Sequence, residues 1–120
     1  MNEIIAVRGA TTIERDCEEE IVLKTTELIK ALIDANEIGV KTRCVSVVIS
    51  TTQDIRSFYP ARAIRESGLI NAPMFSCAEP NIEGALPLCI RIMLTLDGDV
   101  EQSAKHVYLH NAQTLRPDLK

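Results

Sequence analysis

"LPLCIRIMLTL", residues 86–96, is the stretch on which the fold turns. It holds one charge, Arg91, in a run that is otherwise apolar or weakly polar. Read as a strand, its side chains alternate between two faces. Leu88, Ile90, Ile92, Leu94 and Leu96 share one face, which is expected to meet a core. Cys89, Arg91, Met93 and Thr95 share the other. The guanidinium therefore need not sit among aliphatic side chains; it stands on a second sheet face.

Other segments show the same division. Glu3 to Arg8 reads as a short strand, with Ile5 and Val7 opposite Ile4, Ala6 and Arg8. Cys44 to Ser50 is rich in β-branched residues, and Ala72 to Cys77 is a further candidate strand. Lys105 to Leu109 reads as the last strand, with His106, Tyr108 and His110 opposite Val107 and Leu109. Arg8, Arg91 and Tyr108 thus each lie on a non-core face, and convergence of those faces would line a pocket for an anion. His106 and His110 would be a metal pair on a helix, but on a strand they are roughly 13 Å apart.

Helices are expected in two places. "GATTIERDCEEE" opens the first, with Thr12 or Asp16 as cap and Glu18, Glu19 and Glu20 at the positive end of the dipole. Ile21, Leu28 and Leu32, joined by Val22, Ile29 and Ile33, form its apolar stripe, and it should stop near Asn36 to Gly39. "PARAIRESG" is the second, with Pro60 at its first position and Gly68 past its end. "DGD" at residues 97–99 is a turn. About five strands with two main outer helices give an α/β or α+β domain around a mixed sheet.

The totals agree. The 120 residues suit a single domain over 1–120, and 46% hydrophobic residues with only 3% aromatics imply an aliphatic core. A net charge of −4 argues against nucleic acid. No run approaches the roughly 18 apolar residues of a membrane helix, and "MNEIIAVRG" does not read as an export signal. Cys17, Cys44, Cys77 and Cys89 form no CxxC pair and are expected as reduced core thiols in a cytoplasmic protein. Eight of the 13 basic residues are Arg, the residue suited to bidentate contact with carboxylates.

Four blocks carry a resemblance. "VRGATTIERDCEEEI" (7–21), "FYPARAIRE" (58–66), "GALPLCIRIML" (84–94) and "HVYLHNAQTLRPDL" (106–119) occur in order and together resemble the monofunctional chorismate mutases of the trimeric AroH type. The resemblance implies a homotrimer built as a pseudo-α/β-barrel, with active sites between subunits. It implies conversion of chorismate to prephenate by an intramolecular [3,3] Claisen rearrangement, on the shikimate route to phenylalanine and tyrosine. It implies no metal, no cofactor and no covalent intermediate.

By the same resemblance, Arg91 stabilises the ether oxygen as its bond breaks, Arg8 binds a substrate carboxylate, and Glu79 accepts from the ring hydroxyl. Tyr108 donates to the anionic region. Tyr59, Ala61, Arg62 and Arg65 match a pocket wall, and Phe75 and Ser76 match residues against the ring. Leu115 and Arg116 match a tail over the mouth. The chain departs from the commonest pattern at Tyr59, Arg62, Phe75 and Ser76, which alters pocket shape and leaves Arg8, Glu79 and Arg91 in place. The competing reading is a non-catalytic trimer that binds small carboxylates; it would keep the arginines and have no use for Glu79.

Overall fold

Two long antiparallel ladders organise the chain. The computed structural model describes residues 3–99 and 104–117. The start of the "MNEIIAVRG" stretch, at residues 1–2, and the end of the "LRPDL" motif lie outside the described residues. Strand β4 (Cys89–Gly98) is central, paired antiparallel with β1 (Glu3–Thr12) on one side and β2 (Thr42–Thr51) on the other. Strand β3 (Met74–Ala78) joins β2 in parallel, and β5 (Val107–Tyr108) joins β1 in parallel. The order is β3-β2-β4-β1-β5, a mixed sheet of five strands.

Helices α1 (Glu18–Asn36) and α2 (Pro60–Ser67) supply the rest of the core. Ile21, Leu28, Ile29 and Leu32 of α1 and Ile64 of α2 are buried with Val7, Val47, Ile49, Ile90, Ile92, Leu94 and Leu96. Each such side chain contributes about 1.5–3 kcal/mol when taken fully out of water. The alternation in β4 is therefore as expected from Ile90 to Leu96. Leu88 is the exception: it precedes the strand, with φ of 49°, and is only half buried.

Register supplies a detail that alternation alone misses. Between Cys44 and Ser46 the β2–β4 ladder shifts, so that Cys44 pairs with Leu96 and Ser46 with Thr95. A bulge of this kind lets both Cys44 and Val47 face the core, which strict alternation forbids.

Several boundaries differ from expectation. β1 runs on to Thr12 instead of ending at Arg8, because the ladder to β4 continues to Thr12–Cys89. The first helix begins only at Glu18. Its N-cap is Cys17, without a side-chain cap, so neither Thr12 nor Asp16 has that role. Val22 leaves the apolar stripe for solvent. β3 starts two residues late, and β5 has only two residues, because its pairing to β1 is limited to Gly9–Val107 and Ala10–Tyr108. The tail forms a short 3₁₀ helix, His110–Leu115. Pro60 and Gly68 stand at the ends of α2 as read, Gly68 in the left-handed conformation. Of the thiols, Cys89 is buried, Cys17 and Cys44 partly so, and Cys77 is exposed on β3 instead of in the core.

Gly9 sits where β1 passes beneath α1. A Cβ there would come within 3.0 Å of Leu32 Cδ1 and 3.1 Å of both Leu28 Cδ1 and the Val107 carbonyl oxygen. Its lack of a side chain lets α1 and β5 close on the strand that carries Arg8. Gly9→Val is expected to cost about 1–3 kcal/mol by overpacking, read as a lower urea midpoint at unchanged m-value.

Candidate active site

The sheet face away from α1 and α2 carries the polar residues. Ser50 and Ala10 both pair with Arg91, Ser50 also with Cys77, and Ala10 also with Tyr108. One row thus crosses all five strands in the order Cys77, Ser50, Arg91, Ala10, Tyr108. The neighbouring row, roughly 7 Å along the strands, holds Phe75, Val48, Met93 and Arg8. A hollow of about 200 Å³ opens on this face, lined by Arg8, Val48, Ser50, Arg91, Met93 and Tyr108 among others. The convergence expected of Arg8, Arg91 and Tyr108 is present.

Glu79 is brought to the same place from the end of β3. Its backbone N–H donates to the Thr51 carbonyl, continuing the β2–β3 ladder by one residue. Its Oε1 accepts a hydrogen bond from the Ser50 hydroxyl and lies 3.3 Å from Arg91 Nε. Arg91 Nε has no aligned hydrogen-bond acceptor among the described residues, so the pair is ionic contact more than a directed bond. Glu79 is the more enclosed partner, with 19% of its side chain exposed against 43% for Arg91. Ser50 is absent from the sequence reading; alternation in β2 places it opposite Ile49, but only the register brings it beside Arg91.

The tail closes one end. Ala112 and Leu115 pack with Ala10, Cys89 and Tyr108, while Arg116 lies over the Tyr108 ring at 6.0 Å from its centroid. This small apolar cluster buries Cys89, on the face assigned to polar groups. Burial pushes the Cys89 thiol pKa up, although the charge and hydrogen bond of Arg91 pull the other way. The thiol is thus held in its protonated form, which is a poor nucleophile.

The remaining sequence-named residues divide between two other hollows. Tyr59, Arg62 and Ser76 line one of about 560 Å³, with Ile55, Phe58 and Pro60. Arg62 there stacks over Phe58, 5.2 Å from the ring centroid, and its Nε lies 3.2 Å from a Glu66 carboxylate oxygen. Ala61 and Arg65 line a different hollow with Ile70 and Met74. Phe75 and Ser76, adjacent in β3, face opposite ways: Phe75 is in the Arg8 row, and Ser76 pairs with the buried Ile49. Within one chain, Tyr59, Ala61, Arg62, Arg65 and Ser76 do not join Arg8, Arg91 and Glu79.

The His106 and His110 side chains also separate. His110 Nε2 lies 2.7 Å from Glu27 on α1, whereas His106 Nδ1 accepts from the backbone N–H of Arg8 at 3.0 Å. Among the described residues, no cluster of His, Cys, Asp and Glu has the geometry to hold a metal ion.

Asp16 has a role that its sequence position concealed. Its two carboxylate oxygens accept the backbone N–H groups of Arg56 and Ser57, at 3.0 and 3.1 Å, and its carbonyl accepts the Ser57 hydroxyl. The carboxylate therefore ties the connection before α1 to the loop that delivers Phe58, Tyr59 and Arg62.

The chain is a small α+β domain with guanidiniums and one carboxylate gathered on one sheet face. Residues 4–119 match the family described as chorismate mutase type I, and the chain belongs to that family. It is 42% identical over 118 residues to chorismate mutase AroH of Bacillus subtilis (strain 168), covering 97% of this chain and 92% of that protein. It is 37% identical to chorismate mutase AroH of Thermus thermophilus, covering 95% of this chain and 94% of that one. Among solved structures, a chorismate mutase from Clostridium thermocellum superimposes with a TM-score of 0.80 at 29% identity, over 92% of this chain and 98% of that one.

Asp16→Ala is expected to hand two exposed loop N–H groups back to water and to cost about 0.5–1.5 kcal/mol. The measurements are a chemical melt and hydrogen exchange at Arg56 and Ser57, where protection should fall more than in β4.

Proposed function

We propose that the hollow bounded by Arg8, Arg91 and Tyr108 binds chorismate and that Arg91 is its main electrostatic catalyst. Chorismate mutase activity accords with the family; the finer assignments below are argued from residues. The observation that carries them is the placement of Arg91: the centre of a five-strand row, on the open face, with Glu79 beside it.

The chemistry asks little of the protein beyond position and charge. In the rearrangement, C–O cleavage runs ahead of C–C bond formation, so negative charge gathers on the ether oxygen. A cation already aimed at that oxygen binds the transition state better than the ground state, and only such differential binding raises kcat. The planar guanidinium offers a fork of N–H donors that can meet the ether oxygen and a carboxylate together. Arg8 takes a carboxylate, Tyr108 supplies a hydroxyl, and Glu79 accepts from the ring hydroxyl. The charges also match: Arg8 and Arg91 line the hollow with Glu79 beside them, a positive balance suited to an anionic substrate. An acceleration of about 10⁶ corresponds to about 8 kcal/mol, which two or three well-aimed contacts and restriction of the substrate supply without a general acid or base.

Assembly follows from size and exposure. The hollow of about 200 Å³ is smaller than the roughly 300–1,000 Å³ usual for a small-molecule site. Phe75 and Met93 are exposed on the same open face, 69% and 39%, and large apolar side chains grouped on a surface mark an interaction site. We therefore assign the cover to further copies of the chain in a homotrimer, whose Tyr59, Arg62 and Ser76 hollow would complete the wall of a neighbour's site. Sedimentation equilibrium is expected to give about three times the chain mass; a monomer at assay concentration would overturn this assignment. We assign the protein to the cytoplasm on its four unpaired thiols. No described helix is long and apolar enough to cross a membrane.

The competing carboxylate-binding trimer has less support, because it gives Glu79 no function and the family is one of chorismate mutases. Disappearance of chorismate absorbance decides between them. Arg91→Lys, which keeps the charge and loses the fork, is expected to lower kcat by roughly 10²–10³. Arg8→Ala is expected chiefly to raise KM. Parental turnover in Arg91→Lys would remove the electrostatic role.

A further inference from the structure

The rearrangement moves no proton, yet the cation at the rim of the hollow is held by a titratable ring. Arg8 lies on β1, next to the edge strand β5, which pairs with it at only two positions, Gly9–Val107 and Ala10–Tyr108. The backbone N–H of Arg8 falls just before this short ladder. Its hydrogen bond goes to His106 Nδ1, at 3.0 Å, across a sequence separation of 98 residues. An imidazole nitrogen that accepts a hydrogen bond carries no proton, so the remaining proton of a neutral ring is on Nε2.

We infer that His106 is the positioning residue for Arg8, that it acts only as the neutral Nε2–H tautomer, and that its protonation uncouples Arg8 from β5 and weakens substrate binding. A protonated ring would present an N–H to the Arg8 N–H, replacing an attraction with a clash of donors. The inference rests on the reading of Arg8 as a carboxylate-binding residue.

The groups around the ring all favour the neutral form. Arg8 faces it from β1 and Arg116 from the residue after the 3₁₀ helix. From α1 the Asn36 carboxamide bonds both the N–H and the carbonyl of the preceding residue, Lys105, and carries no charge. Burial first, then the charges of Arg8 and Arg116, hold the His106 pKa below its usual 6.5. The sign follows: an unfolded chain binds this proton at higher pH than the native one. Native stability from His106 is thus complete above about pH 6.5 and declines as pH falls through the lowered value. The only other histidine, His110, is paired with Glu27 away from Arg8.

The test is the pH dependence of kcat/KM for chorismate between about pH 5 and pH 8, where the substrate carboxylates stay ionised and the free enzyme is reported. The parent is expected to lose roughly threefold or more toward acid, with midpoint below 6.5, mainly through KM. His106→Asn places an amide oxygen near the position of Nδ1 and does not titrate. It should keep activity within about threefold of the parent at pH 8 and abolish the acid limb. His106→Ala should raise KM at every pH. A flat parental profile in protein still folded by circular dichroism overturns the proposal, as does an acid limb that persists in His106→Asn. Should the variants fold poorly, the ¹⁵N shifts of the parental ring decide: an Nδ1–H tautomer sinks the idea. Arg8→Ala separates the two levels. If it leaves KM unchanged at pH 8, the reading of Arg8 fails and this inference with it; if it raises KM while the parental profile is flat, only the role of His106 fails.

Discussion

A guanidinium is useful for electrostatic catalysis only if it cannot relax away from the charge it is meant to meet. Arg91 is placed on the central strand of the sheet, with Ser50 and Ala10 as its lateral partners and both ladders antiparallel. The backbone beneath it is held on both sides, and the adjacent Ile90 and Ile92 are sunk in the core. The aliphatic packing of α1 against β4 and the aim of the cation are thus two consequences of the same alternation. Glu79 completes the arrangement, taking up the Nε side of the guanidinium while Ser50 steadies the carboxylate.

Around this fixed centre, the other groups depend on lighter supports. Arg8 lies at the exposed side of β1, beside a two-residue strand and one imidazole. Tyr108 belongs to that same short strand and carries Arg116 over its ring. Phe58, Tyr59 and Arg62 follow a loop held by Asp16. The backbone support therefore thins from Arg91 outward to Arg8, Tyr108 and Arg62. Such grading fits a rearrangement whose demand for exact charge placement is confined to one oxygen, while substrate still has to come and go.

Some of this architecture was readable along the chain. The inward and outward faces of β4 and β1, the apolar stripe of α1 and both ends of α2 follow from periods of 2 and 3.6 and from Pro60 and Gly68. Local chemistry misled where a residue had two possible partners. Asp16 has the side chain and position of a helix cap, but the N–H groups of Arg56 and Ser57 are a better-placed pair of donors for its two oxygens. Cys44 and Ser46 read as alternate members of one face until the bulge between them turns Cys44 to the core. Cys89 is buried, as expected of a core thiol, but on the Arg91 face and under the 3₁₀ tail, whose shape no period announces.

The amino-acid sequence by itself determined the sorting of apolar from charged side chains, the helix and strand types, and the family blocks that name the chemistry. These depend on spacing between neighbours along the chain, and spacing survives without coordinates. Only tertiary structure decided which strands lie side by side, and hence that Ser50, Arg91 and Ala10 share a row, that Glu79 reaches Arg91, and that His106 meets the backbone of Arg8. It also put Tyr59, Arg62 and Ser76 in a separate hollow from the arginines. The physical reason is that register and strand order are set by the summed packing of the whole core. A pairing between residues 98 positions apart leaves no periodic trace in either segment.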